Sequence, residues 1–320
     1  MGLEIYNDGQ RNLHECLACL IFVSRHGMSI FATMEIRLLI DKIKLALTKR
    51  VVKPKQKCYA DWAAKGYVND PIVTFIIQSH NKSLQVMHVV DKLRAYPRAE
   101  IIVIDDGSDD VHHQRLARHL VRANEFLLHA NDLYENVMYD KTLRMANGRY
   151  IALMQDDDDF ADLSWVDRAI QLFQSHPQMV ILGGKDGMDF AVDRRDRRFE
   201  LLPCEATEGS EFCFVAHVDR APMWINRSLY QAHLKHIDFS FAPFQFDDIE
   251  LCLRAWLNGL QVGWYKTEFS SLSAGGMRIW NNAFTAEQCA KNIRLLYELY
   301  AEQEEAIHQR IRNSEPSGMS

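Results

Sequence analysis

Residues 71–110 read PIVTFIIQSHNKSLQVMHVVDKLRAYPRAEIIVIDDGSDD. Within this stretch, residues 72–77 (IVTFII) and 100–104 (EIIVI) are short β-branched runs without polar alternation, the pattern of strands buried on both faces. Between them a helix opens at Ser83, a residue type that caps helix N-termini, and runs to about Ala95 before Tyr96-Pro97 stops it. A buried strand, a helix and a second buried strand imply a parallel pair with the helix packed across it. The same alternation continues outward: helix 110–121, strand 125–128, helix 137–146 closed by Asn147-Gly148 as a C-cap, strand 150–154, helix 163–175 and strand 179–182. The fold class is therefore α/β, a mostly parallel central sheet flanked by helices. Beyond Gly183 the pattern loosens. An arginine-rich loop or hairpin (Arg194, Arg195, Arg197, Arg198) leads into residues 199–202, a helix starts near Asp247-Asp248, and residues 285–312 form a polar amphipathic helix.

The chain has 320 residues, which at roughly 150 per domain suggests about two folding units. With 48% hydrophobic and 25% charged residues it has ample material for a core, and a net charge of −6 argues against a dedicated nucleic-acid binder. The charge is uneven: residues 1–70 hold 11 Lys and Arg against 7 Asp and Glu, so the acidic excess lies in the remainder. Seven cysteines are too sparse for a disulfide scaffold, and Cys16 and Cys19 form a CxxC with no second pair at zinc-ribbon spacing. No apolar run near the start approaches the ~20 residues of a membrane span, so the expected compartment is reducing and cytoplasmic. Ile36, Leu39, Ile40, Ile43 and Leu47 form a helical apolar stripe, and lysines and Arg50 follow within residues 36–57. Such a segment either makes a peripheral contact with an anionic membrane or packs on its own domain with a solvated flank; the short stripe and Pro54 favour packing.

Three acidic clusters fall where α/β sheets bind ligands, at the carboxyl ends of strands: Asp105-Asp106, the run Asp156–Asp159, and Asp247-Asp248. Adjacent aspartates in a water-poor cleft repel one another, and a divalent cation such as Mg²⁺ or Mn²⁺ relieves that repulsion while bridging to a phosphate. Any one cluster alone is as readily a solvated turn or a helix cap; the three together point to a metal-bridged nucleotide derivative. A dinucleotide-binding GxGxxG is absent after the first strand, where Gln78-Ser79-His80-Asn81 stands, and no GxxxxGK[ST] occurs.

VTFIIQSHNKS (73–83), EIIVIDDGSDD (100–110), NGRYIALMQDDDDF (147–160) and FDDIELCLRAWLNG (246–259) together resemble the family 2 glycosyltransferases of GT-A fold, in that family's order and approximate spacing. The resemblance implies a GT-A domain at residues 70–275, a basic, amphipathic helical arm at 1–69 and a helical extension at 276–320. It also implies inverting transfer of a sugar from a nucleotide diphosphate donor, with a UDP-sugar favoured, to a hydroxyl of a glycan or glycoconjugate. On this resemblance Ser79 and His80 line the nucleoside pocket, and Asp105 and Asp106 hold the base, Asp106 more closely. Asp156, Asp157 and Asp158 match the DxD motif, with Asp156 beside ribose and metal and Asp158 on the Mn²⁺ or Mg²⁺; a register slip brings in Asp157 and Asp159. Asp248 is the general base, and Asp247 replaces the usual glutamate beside it. The chain departs from the family at Asp140, where asparagine is usual, and in lacking a histidine after the 246–259 segment. Residues 271–280 (SLSAGGMRIW) offer instead a glycine-bearing loop with Arg278 for the diphosphate. Trp224 and Trp280 either stack on a sugar or pack in the core. Two alternatives stay open: a nucleotidyltransferase acting on sugar phosphates, disfavoured because Gln78–Ser83 supplies only Lys82, and a catalytically silent sugar-binding GT-A module.

Overall fold

The computed structural model describes residues 70–220, 222–272 and 282–314, with four helical positions at 36, 39, 40 and 43. The main body lies in one compact unit, Tyr67–Ser320. Cys16, Cys19, most of the 36–57 segment, Arg278 and Trp280 fall outside the described residues.

Strands β1 (Val73–Ser79), β2 (Ala99–Asp106), β3 (Glu125–Ala130) and β4 (Tyr150–Gln155) alternate with helices α1 (Ser83–Leu93), α2 (Asp110–His119) and α3 (Tyr134–Met145), as the apolar runs predict. These four strands are parallel in the order β3-β2-β1-β4. A short strand β5 (Asp158–Phe160) follows β4, and helix α4 (Ser164–Ser175) leads to β6 (Met179–Gly183). The hairpin of β7 (Gly187–Asp193) and β8 (Arg198–Pro203) forms a small sheet with β10 (His217–Val218). In the main sheet, β11 (Met223–Asn226) lies antiparallel between β4 and β6. The sheet is completed by β12 (Gln261–Tyr265), parallel to β6, and by β9 (Phe212–Phe214), antiparallel to β12. Helix α5 (Asp247–Leu257) precedes β12, β13 (Phe269–Ser271) pairs with β5, and α6 (Asn282–Tyr300) and α7 (Glu304–Ser314) end the described chain.

Because side chains alternate along a strand, β1 feeds two cores. Val73, Phe75 and Ile77 join Val86, Val89, Val90 and Leu116 of the first two helices, together with Trp165 and Trp224. Ile76 joins Ile102, Tyr139, Leu143, Ile249 and Leu296 on the other face. Each fully buried Ile or Leu here contributes about 1.5–3 kcal/mol relative to exposure. Trp224 is wholly buried and its indole donates to Tyr265 at 3.0 Å, so of its two readings the core is the one it adopts. The arginine-rich segment is the β7–β8 hairpin turn: Arg194 pairs with Glu304 at 2.8 Å and Arg197 lies over the Tyr297 ring.

Two local expectations change. Ser83 does not cap α1; its hydroxyl instead faces His112 at 2.9 Å and accepts from Arg115. Gly148 is not a left-handed C-cap. Its role is a close approach, since a Cβ there would sit 2.3 Å from the Thr74 amide nitrogen. The neighbouring buried Glu100 takes hydrogen bonds from Thr74 Oγ1 and from the Asn147 backbone and side chain, tying the starts of β1, β2 and β4 together.

Candidate active site

The parallel order β2-β1-β4 brings three carboxyl ends side by side, about 4.8 Å per strand. Ser79 ends β1, Asp105 and Asp106 end β2, and Asp156 follows β4. The turn after β1 joins them: the His80 amide donates to Asp156 Oδ2 at 3.0 Å, and its ring Nδ1 meets the Asp106 carbonyl at 2.8 Å. Asp106 accepts from the Leu133 and Tyr134 amides at 2.8 and 2.7 Å, which fastens β2 to the start of α3. The Ser79 hydroxyl is buried and has no hydrogen-bond partner among the described residues.

Asp156, Asp157 and Asp158 sit in a tight turn into β5, and Asp157 and Asp158 are buried. Lys82 reaches Asp156 at 3.2 Å. Burial pushes Asp158 up to about 7, with Asp157 and Asp156 adding to it and the Gln155 amide and Lys185 opposing. Asp159 turns away to Lys92 and His88; bonds from both hold it below the usual carboxylate range against its partial burial.

Asp247 and Asp248 begin α5, where the positive end of a helix dipole favours acids. Before them Gln245 and Phe246 have φ of 76° and 68°, a left-handed conformation that non-glycine residues hold only when the surroundings impose it. The surroundings here are α6: Asn292 Nδ2, fully buried, donates to the carbonyls of Phe241, Phe244 and Gln245, and Gln288 to that of Ala242. Asp247 is buried against Arg220 at 2.5 Å, and the Arg220 guanidinium lies over the Tyr139 ring, 4.7 Å from its centroid. Burial works against Arg220, but Asp247 and Asp248 push its pKa up. Asp248 is the more open of the pair and accepts from the Ile249 amide at 3.0 Å.

Arg220 and Tyr139 link the α5 carboxylates to the aspartate run. Tyr139 feels Arg220 together with Asp158 and Asp156, and its hydroxyl donates to Met154 of β4 at 3.0 Å. Asp219, at the end of β10, is pushed up to about 7 by burial and then by Asp248 and Asp186, with Lys185 opposing. Lys185 thus opposes the upward shift at both Asp158 and Asp219. Sequence reading missed Lys185, Asp219 and Arg220. Lys185-Asp186 follows β6 almost directly, so the rule applied to the other strand ends would have found them; Asp219-Arg220 follows a strand of only two residues, too short to detect. Glu250 is taken by Arg254 at 2.7 Å and Tyr300 at 3.0 Å, and Asp140 is buried beneath Arg144 and the Ile237 amide.

The pattern that defines the family described as "Glycosyl transferase family 2" matches residues 74–234, just over half of the chain, from β1 through β11. The chain belongs to glycosyl transferase family 2. As in other GT-A members of the family, a large, mostly parallel sheet is flanked by helices. A curated relative, the glucosyl-dolichyl phosphate glucuronosyltransferase of Haloferax volcanii, is 24% identical over 114 residues, covering 35% of this family 2 chain and 34% of that protein, about a third of its length. Among solved structures, the mannosyltransferase PcManGT from Pyrobaculum calidifontis, in complex with GDP-Man and Mn²⁺, superimposes with a TM-score of 0.50 at 15% identity, over 87% of each chain. GalNAc-T7 with UDP, GalNAc and Mn²⁺ superimposes with a TM-score of 0.51 at 14% identity, over 63% of this chain and 44% of that one. At these identities the likeness speaks for the fold. Among the described residues no helix is long and apolar enough to cross a membrane.

Proposed function

We propose that this chain is a metal-dependent, inverting glycosyltransferase that moves a sugar from a nucleotide diphosphate donor, UDP-linked for preference, to a hydroxyl of a glycan or glycoconjugate. One observation carries the reading: Asp247 of α5 pairs with Arg220, Arg220 lies over the Tyr139 ring, and the Tyr139 hydroxyl donates to Met154 of β4, just ahead of the Asp156–Asp158 turn.

The residues fit a hard divalent cation. Asp158 is buried among like charges and, among the described residues, accepts the Gln155 amide alone, and oxygen donors of this kind suit Mn²⁺ or Mg²⁺ shared with a diphosphate. Asp158 and Asp156 would hold the ion, which when bound supplies charge stabilisation to the departing diphosphate. Ser79, His80 and Asp106 would line the nucleoside, Asp157 would support the turn, and Lys82 pairs with Asp156 and opposes the rise that burial imposes on it. The base contact falls to Asp106 alone, because the Asp105 side chain turns to His113 and His129 on the other face of β2, and Arg278 is assigned to the diphosphate from its sequence position alone. Asp248 would take the proton from the acceptor hydroxyl on the face opposite the leaving group, so that a single displacement inverts the anomeric centre. Asp247, held by Arg220, fixes the first turn of α5 and with it the direction of Asp248.

The test is transfer and donor hydrolysis from a panel of nucleotide sugars with Mn²⁺ and after chelation. Asp158→Ala should abolish metal-dependent donor binding. Asp248→Asn should keep donor binding and lower turnover by about 10²–10⁴-fold. Turnover unchanged in either variant would refute its assigned role; release of pyrophosphate from nucleoside triphosphates would favour nucleotidyl transfer instead.

A further inference from the structure

Asp105 is fully buried, yet its neighbours do not satisfy it. Both imidazoles nearby aim Nδ1 at the same oxygen, Oδ2: His113, in the first turns of α2, at 2.6 Å, and His129, its register partner on β3, at 3.4 Å. The two rings lie 4.5 Å apart. The other oxygen, Oδ1, is buried without a hydrogen-bond partner among the described residues. A buried carboxylate oxygen left unpaired is costly, and it is not explained by the two histidines. The histidines are open to solvent, their side chains 33% and 49% exposed.

We infer that Asp105, His113 and His129 form a binding site for a zinc-class divalent cation, separate from the aspartates after β4. Two imidazole nitrogens and one carboxylate suit Zn²⁺, whereas the all-oxygen turn at Asp156–Asp158 suits Mn²⁺ or Mg²⁺. The three ligand atoms lie within 4.8 Å of one another. Tetrahedral ligands about 2.0–2.2 Å from zinc stand roughly 3.3 Å apart, so small side-chain rotations complete the set. The exposed side of both rings leaves the fourth position to water or a ligand. Asp105 has different hydrogen-bond partners from the Asp156–Asp158 turn, and its side chain lies on the face of β2 opposite Asp106. An ion there clamps β2, β3 and α2 together behind the strand end that carries Asp106.

The experiment uses the full chain, stripped with chelator and titrated with Zn²⁺ in competition with a chromophoric chelator, and separately with Co²⁺ read by its visible spectrum. The expected result is an equivalent of Zn²⁺, with a tetrahedral nitrogen-ligated Co²⁺ spectrum, that His113→Gln and His129→Gln each weaken at least about 10-fold. Asp158→Asn should keep that equivalent, which separates this site from the proposed catalytic one. Zinc bound elsewhere, for example at Cys16 and Cys19, is unmoved by the histidine variants. The inference is overturned if no equivalent responds to either histidine, or if the responding equivalent disappears in Asp158→Asn alone.

Discussion

Removing the Arg220 side chain tests how the first turn of α5 is held. Arg220 and Asp247 are both buried, 2.5 Å apart, and Arg220 also covers the Tyr139 ring. In Arg220→Ala the Asp247 carboxylate loses the one charged partner it has among the described residues while staying out of water. Breaking one side of a buried pair costs about 3–5 kcal/mol, and the lost cation–π contact belongs to the same removal. For a body of this size that is a fall in melting temperature of about 10 °C. The isolated Asp247 would rise far above its unfolded pKa. A carboxylate raised on folding contributes stability that is full below the unfolded value and lost as pH rises through the folded one, so the deficit against wild type should widen from pH 5 to pH 8. Urea unfolding followed by tryptophan fluorescence at both pH values measures it, and Arg220→Met with Asp247→Asn should recover most of the loss. A deficit under about 1 kcal/mol, or one that shrinks as pH rises, would refute this account of the pair.

Gly148→Ala puts a Cβ 2.3 Å from the Thr74 amide nitrogen and 2.6 Å from the Val73 carbonyl carbon, so β1 or the 147–148 turn must move; a loss of about 1–3 kcal/mol or more is expected in chemical denaturation. Asn292→Ala strips one amide from three carbonyls ahead of α5; it should cost about 1–3 kcal/mol and lower transferase turnover more than donor affinity, because Asp248 lies just downstream. His308, bonded to Asp189 at 2.9 Å, is held above its ordinary value chiefly by that bond, against burial. Its contribution is therefore full below about pH 6.5 and lost as pH rises through the higher folded value, so unfolding midpoints of wild type and His308→Gln should converge toward alkaline pH.

The parts of the fold legible in sequence are those where one physical pattern dominates. β1, β2, β4 and β6 are continuous apolar runs because both of their faces are covered, and nothing else explains IVTFII or EIIVI. β11 escapes because four residues, MWIN, carry no periodicity, and β5 because aspartates are poor strand formers and its pairing with β13 comes from tertiary context. At the site, Asp105-Asp106 and the Asp156–Asp159 run were legible from their positions after strands, whereas Asp247-Asp248 follows no strand and opens a helix instead. Arg220 was not legible, because it acquires its partner Asp247 only through packing between segments distant in sequence. The misreading of Gly148 has a similar origin: Asn-Gly after a helix matches a cap locally, while the constraint comes from Thr74, 74 residues away.

The position of β11 bears on how the chain folds as it emerges. β4 and β6 are not neighbours; the strand that joins them is synthesised some forty residues after β6 and enters antiparallel. Until it arrives, β4 has an unpaired edge and β6 has no partner in the sheet, since β12 comes later still, and such edges invite pairing with other chains. A nascent or truncated chain ending before Asn226 therefore leaves the centre of the sheet open, and the parallel half cannot mature alone. The sheet is therefore closed late, once β11 has entered its middle and β12 has covered the far edge of β6.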